Sequence, residues 1–173
     1  MKLLSIFGLC SVLLFASACT TQSNHPIANN ASPEQSLAGS WQLMHEEIRI
    51  NRKIIPTFNP ATHKMMKLFN DTHFAFVSNG DKRPRFTSYQ LTPEEKVIAF
   101  ENFGGGGGRY TFADGYLTEH IEYMNYPNYE GESIRFKITI DGDTMIQEGD
   151  YPITKLGLGD ADGYLYSVFK RIK

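Results

Sequence analysis

The sequence predicts an all-β fold, an antiparallel up-and-down β-barrel of about eight to ten strands. Three observations carry this. No stretch of ten or more residues holds a helical period. Asn-Gly and Asp-Gly steps at 79–80, 114–115 and 141–142 punctuate β-rich runs. Residues 133–140 alternate, with Ile134, Phe136, Ile138 and Ile140 on one side and Ser133, Arg135, Lys137 and Thr139 on the other, the pattern of a strand with one buried face. A sandwich would show the same pattern, but closure removes edge strands and sets the last strand beside the first.

Residues 1–18 are expected to be a signal peptide. A positive Met1-Lys2 precedes an apolar or small-residue run that ends Phe15-Ala16-Ser17-Ala18-Cys19, and that run falls short of the ~20 residues a membrane-spanning helix needs. Small residues directly before a cysteine resemble a bacterial lipoprotein signal, which implies acylation of Cys19. Thr20 in the position after it implies sorting to the outer membrane. The alternative is ordinary secretion with cleavage after Ala18. Cys10 leaves with the signal, so Cys19 is the single mature cysteine and no intrachain disulfide can form. An unpaired thiol is unusual in an oxidising compartment, and acylation explains it. The lipidated cysteine and the Asn-, Ser-, Thr- and Pro-rich residues that follow, 19–36, read as a disordered tether.

Residues 37–173 are then one domain, long enough to bury a core without staples. The chain has 17 basic and 19 acidic side chains, net −2, and loss of Lys2 makes the mature form −3. That balance gives no footprint for nucleic acid or anionic lipid.

Within the domain, residues 41–50 read as the first strand, beginning just after Gly39. Residues 51–63, with Pro56 and Pro60, read as a connection and candidate lid. Residues 65–69 and 72–78 are expected strands, broken at Asn70-Asp71, and 85–91 another. Thr92-Pro93-Glu94-Glu95 has the order of a helix capping box, but Val97 to Phe100 return to β-type residues so soon that it reads as a turn between strands. Runs at 109–112 and 116–123 flank Asp114-Gly115 as a hairpin, 133–140 and 143–148 flank Asp141-Gly142 as the next, and 164–172 close the chain.

Gly39-Ser40-Trp41 near the start and Phe169-Lys170-Arg171 near the end resemble the lipocalin and fatty-acid-binding (calycin) pattern. The resemblance implies a barrel in which Trp41 plugs the floor and Arg171 packs across it. The middle, in GRYTF, YLTEHIEY and FKITIDGD, is similar to small secreted lipocalin-like proteins of bacteria with no assigned activity. The lipocalin disulfide is absent here. The resemblance implies a cavity and names no ligand.

Residue types that carry chemistry are sparse. The glycines at 104–108 have no Lys-Ser/Thr after them and lead into a strand, so they read as a bend or bulge in the wall. If Trp41 points inward, Leu43, His45 and Glu47 follow by the period of two. His45 and Glu47, with His120 and Glu122, could then hold a divalent metal; alternatively His120 and Glu122 face solvent and His45 is a hydrogen-bonded interior group, which is the reading adopted, with no metal and no cofactor expected. Asp160-Ala161-Asp162-Gly163 lacks the distal glutamate of a calcium loop. No Gly-x-Ser-x-Gly elbow or cysteine nucleophile is present, so the expectation is a non-catalytic protein.

The expected function is that of an envelope lipoprotein facing the periplasm or cell surface, binding a small hydrophobic or amphipathic molecule. Phe74, Phe76, Tyr164 and Tyr166 are the expected pocket aromatics and His45 the orienting polar group. The alternatives are a solid barrel that binds a protein or glycan through aromatic loops such as 123–129, and a metal carrier or enzyme built on His45 and His120.

Overall fold

The computed structural model describes residues 36–80 and 83–173. The expected signal peptide, Cys19 and all of the expected tether before Ser36 lie outside the described residues. The elements run β1 (Gly39–Ile50), β2 (Lys53–Pro56), β3 (Lys64–Phe69), β4 (His73–Asn79), α1 (Pro93–Glu101), β5 (Phe103–Ala113), β6 (Tyr116–Met124), a 3-10 turn (Pro127–Tyr129), β7 (Ser133–Asp141), β8 (Thr144–Tyr151) and β9 (Gly163–Arg171).

Every strand pairing is antiparallel and each barrel strand pairs with the next in sequence from β3 to β9. β1 then closes the ring, pairing with β3 through residues 39–42 and with β9 through residues 41–49. Eight strands therefore form a closed up-and-down barrel, and β2 adds a short flap to the upper half of β1. The core is the inner surface of this ring, with Trp41, Leu43, Leu117, Phe136, Met145 and Phe169 almost fully buried. β7 follows the alternation read from its sequence, with Ile134, Phe136 and Ile138 buried and Ser133, Arg135, Lys137 and Thr139 exposed.

Three local elements differ from the sequence reading. β2 lies in the stretch read as an irregular connection. Its turn places Asn51 at φ 48° and Arg52 at φ 65°, the left-handed pair of a two-residue hairpin loop, but without the glycine that usually signals it. Residues 85–91 form no strand. Residues 93–101 form a nine-residue helix, not a turn. Both differences have one cause: β4 pairs directly with β5, Asn79 opposite Phe103, so the intervening segment has no strand to join. The helix is held at its ends. Thr92 Oγ1 accepts from the Glu95 amide at 3.3 Å, Glu95 Oε2 accepts from the Thr92 amide at 2.9 Å, and Asn102 Nδ2 donates to the Ile98 carbonyl at 2.9 Å. It buries no residue.

The two ends of the barrel differ. At one end lie the β3–β4, β5–β6 and β7–β8 turns with Gly39 and Arg171, and this end is closed. Longer connections, including α1 and the 152–162 loop, gather at the other end, the mouth.

Candidate functional site

The closed end is built on Trp41. Its ring is fully buried, Nε1 donates to the Leu37 carbonyl at 2.9 Å, and the Arg171 guanidinium lies 4.1 Å above the ring centre. Arg171 also donates to the carbonyls of Ala38 (2.9 Å) and Ser36 (2.8 Å). Gly39 has φ 129°, and a Cβ there would stand 2.9 Å from Arg171 Nη1. The backbone conformation thus calls for glycine, and a side chain there would also displace the Arg171 guanidinium.

Above this floor the interior holds a cavity of about 250 Å³. Met65, Phe76, Ile121, Met124, Ile134, Phe136, Leu165 and Phe169 supply its apolar wall, and Glu46, Lys67, Glu119, Gln147, Tyr129 and Tyr151 its polar groups. β5 contributes room instead of side chains. A Cβ on Gly106 would come within 2.9 Å of Phe76 and 2.5 Å of Met124, two residues that line the cavity. Opposite the glycine run β6 carries a bulge: Gly107 pairs with Tyr123 and Gly108 with Ile121, so Glu122 is the extra residue.

Lys67 is the central polar residue. Its side chain is 4% exposed, and burying an ammonium is costly unless it is paired and hydrogen-bonded. Nζ donates to Glu119 Oε1 at 2.5 Å and Gln147 Oε1 at 3.0 Å, and stands 5.5, 5.8 and 6.0 Å from the rings of Phe74, Phe69 and Phe169. The ammonium is therefore held on two oxygens within an aromatic surround. Glu46 accepts from Ser167 Oγ and Thr57 Oγ1, each at 3.0 Å; among the described residues no cation pairs with it. The Tyr129 and Tyr151 hydroxyls hydrogen-bond each other. Burial, then the neighbouring Tyr129, pushes the Tyr151 phenol far above its ordinary range, and burial raises Tyr129 as well. Both act as neutral donors and acceptors.

Of the residues singled out from the sequence, the structure brings Phe74 and Phe76 to the interior, with Phe76 on the cavity wall and Phe74 beside Lys67. His45 is corrected: it lies on the outer face. β1 carries a bulge between Leu43 and His45, so Met44 is an extra residue and the inward position after Leu43 falls on Glu46. Tyr164 and Tyr166 are corrected as well. β9 faces Leu165, Ser167 and Phe169 inward, which turns both tyrosines out.

The outward residues form a surface cluster. Glu47 accepts from Arg49 at 2.7 Å and lies 3.1 Å from His45 Nε2. The hydrogen bond from Arg49, then that from His45, holds its carboxyl below the usual value. Tyr166 lies beneath Arg49 at 5.0 Å and edge-on to His45 at 6.2 Å. His120 and Glu122 are also on the outer face, on Ser133 and Arg109 respectively. Among the described residues no three His, Cys, Asp or Glu side chains are grouped to hold a metal.

Lys67, Glu119, Gln147 and Glu46 were not legible as site residues. A signal existed for two of them: Lys67 keeps phase with Met65 and Phe69, and Glu119 with Leu117 and Ile121. A charge in phase with buried apolar positions points inward with them.

A family model described as a lipocalin-like domain matches residues 38–172, the whole barrel. Among solved structures the chain is similar to a lipocalin-like protein from Bacteroides uniformis, at 14% identity and a TM-score of 0.43, covering 79% of this chain and 98% of that one. No curated protein matches.

Proposed function

We propose that this chain, which belongs to the lipocalin-like domain family, binds a small amphipathic molecule inside its barrel and does no chemistry on it. The observation that carries the reading is the cavity itself: about 250 Å³, apolar along its walls and provided with a few fixed polar groups. Binding sites combine those two features, apolar surface for affinity and sparse polar groups for orientation. The alternative is a barrel filled by its own side chains that works through its surface. The volume lies below the ~300–1,000 Å³ common for drug-sized ligands, which favours a short molecule over a long acyl chain.

The proposed setting is the bacterial cell envelope, with Cys19 acylated and the barrel carried on the segment that follows. The support is the sequence around Cys19. The cavity offers two carboxylates, an ammonium, an amide and two phenols raised above their ordinary range, polar groups able to orient a bound molecule.

The test is native mass spectrometry of the full-length protein, expressed with its own signal in a bacterial host and purified from the membrane fraction. A stoichiometric small molecule released on denaturation supports the carrier reading. A clean apo mass, with no thermal shift from a panel of small amphipaths, overturns it in favour of the surface-binding barrel. In the same host, Cys19→Ser is expected to move the protein to the soluble fraction; retention in membranes would remove the lipid anchor.

A further inference from the structure

The charges lining the cavity do not cancel. Glu46, Lys67 and Glu119 are its charged residues, two carboxylates and one ammonium. Lys67 is already committed. It is bonded to Glu119 and Gln147 and screened by three rings, so it has little to offer an incoming anion. Among the described residues Glu46 is held only by the neutral hydroxyls of Thr57 and Ser167, and its carboxylate, on the cavity lining, meets no counter-charge among them.

Aromatic rings surround the same space. Phe76, Tyr129, Phe136, Tyr151 and Phe169 all line it. Aromatic faces attract cations through their quadrupoles, and rings beside a carboxylate are the recognised surround of organic ammonium groups. Tyr151 lies close enough to Glu46 and Glu119 for both carboxylates to help hold its proton in place.

We infer that the ligand is a small organic ammonium, its cationic head on Glu46 and the rings and its apolar body against Met65, Ile121 and Met124. This rests on the proposed binding role and narrows its chemistry. It also runs against a fatty-acid-like ligand, whose carboxylate would meet a net negative interior with its one cation neutralised.

The experiment is calorimetric titration of the full mature protein with three probes that share one apolar body: phenethylammonium, phenethyl alcohol and hydrocinnamate. The ammonium is expected to bind at least about tenfold more tightly than the carboxylate, with the alcohol between them. Glu46→Gln, which keeps the side-chain shape and an acceptor oxygen, is expected to bring the ammonium down to the level of the alcohol while the melting temperature stays close to wild type. The wild-type ranking decides the matter even if the variant folds poorly. Equal binding of all three, or a preference for hydrocinnamate, overturns the ammonium assignment and leaves the binding role standing. Binding of none of the three overturns both.

Discussion

Lys67 and Glu119 meet at 2.5 Å inside the barrel from positions 52 residues apart, with side chains only 4% and 6% exposed. β3 and β6 are not neighbours in the sheet, so this ion pair spans the interior and does not lie along a wall. It joins two non-adjacent strands across the cavity that both residues line.

Breaking that pair from one side should be severe. Lys67→Met leaves Glu119 charged, buried and unpaired, and is expected to cost about 3–5 kcal/mol. Adding Glu119→Leu should recover most of the loss, since a buried pair replaced by apolar groups is often near neutral. Urea denaturation of wild type, both single variants and the double variant measures the coupling. An additive result would mean the pair does not act as a unit.

Arg171 should matter more than its position near the C-terminus suggests. Arg171→Ala removes the stack on Trp41 and two hydrogen bonds to the backbone before β1, an expected loss of about 2–3 kcal/mol. Arg171→Lys should recover less than half, because an ammonium lacks the planar fork that reaches both carbonyls while lying on the ring. Trp41 is the single tryptophan, so its fluorescence reports the unfolding midpoint directly.

The tyrosine pair predicts an alkaline limit. Burial raises both phenols above the ordinary value of 10.0. A pKa raised in the folded state gives stability that is complete below the unfolded value and declines as pH rises past it, because the unfolded chain then releases protons that the folded one keeps. Melting temperature should hold up to about pH 10 and fall above it. Tyr151→Phe should start about 1 kcal/mol lower, for the lost hydrogen bond, and show a shallower alkaline fall. An unchanged slope would remove Tyr151 as the cause.

Opposite the β6 bulge, Gly108→Ala should be among the worst single-methyl additions. The added Cβ would stand 2.0 Å from the His120 carbonyl oxygen, a backbone atom that cannot turn away. A loss of about 3 kcal/mol or more is expected in chemical denaturation. Gly106→Ala meets a backbone atom too, the Tyr123 carbonyl oxygen at 2.8 Å, together with the Met124 sulfur at 2.5 Å and Phe76 at 2.9 Å. That backbone approach is less close than the one at Gly108, so a smaller loss is expected, with an added effect on ligand binding. A loss equal to that at Gly108 would show that the closeness of the backbone approach does not set the cost.

Much of this architecture could be read from the chain. The alternation of Ile134, Phe136 and Ile138 gave β7 its inward face, Asp114-Gly115 and Asp141-Gly142 marked two hairpins, and the Gly39-Ser40-Trp41 and Arg171 resemblance pointed to the family that the domain match shows. The interior site was harder for a stated reason. Counting by twos from Trp41 is valid only along an unbroken ladder, and one extra residue at Met44 exchanged His45 for Glu46 as the inward group. Lys67 was missed because a charge next to two methionines suggests a wet surface until its partner 52 residues away is known. The helix at Pro93–Glu101 carries β-type residues, and only the direct β4–β5 pairing shows that no strand was free to take them.

The fastening of Ser36 and Ala38 by Arg171 also sets how the domain bears mechanical load. A pull arriving through the chain before Ser36 reaches Arg171 first and then runs along the axis of β1. That strand is hydrogen-bonded to β3 over its first residues and to β9 over most of its length, and those bonds lie across the direction of pull. They are loaded together in shear instead of opening one after another like a zip. The strand nearest the incoming chain is also the one the barrel grips from both sides.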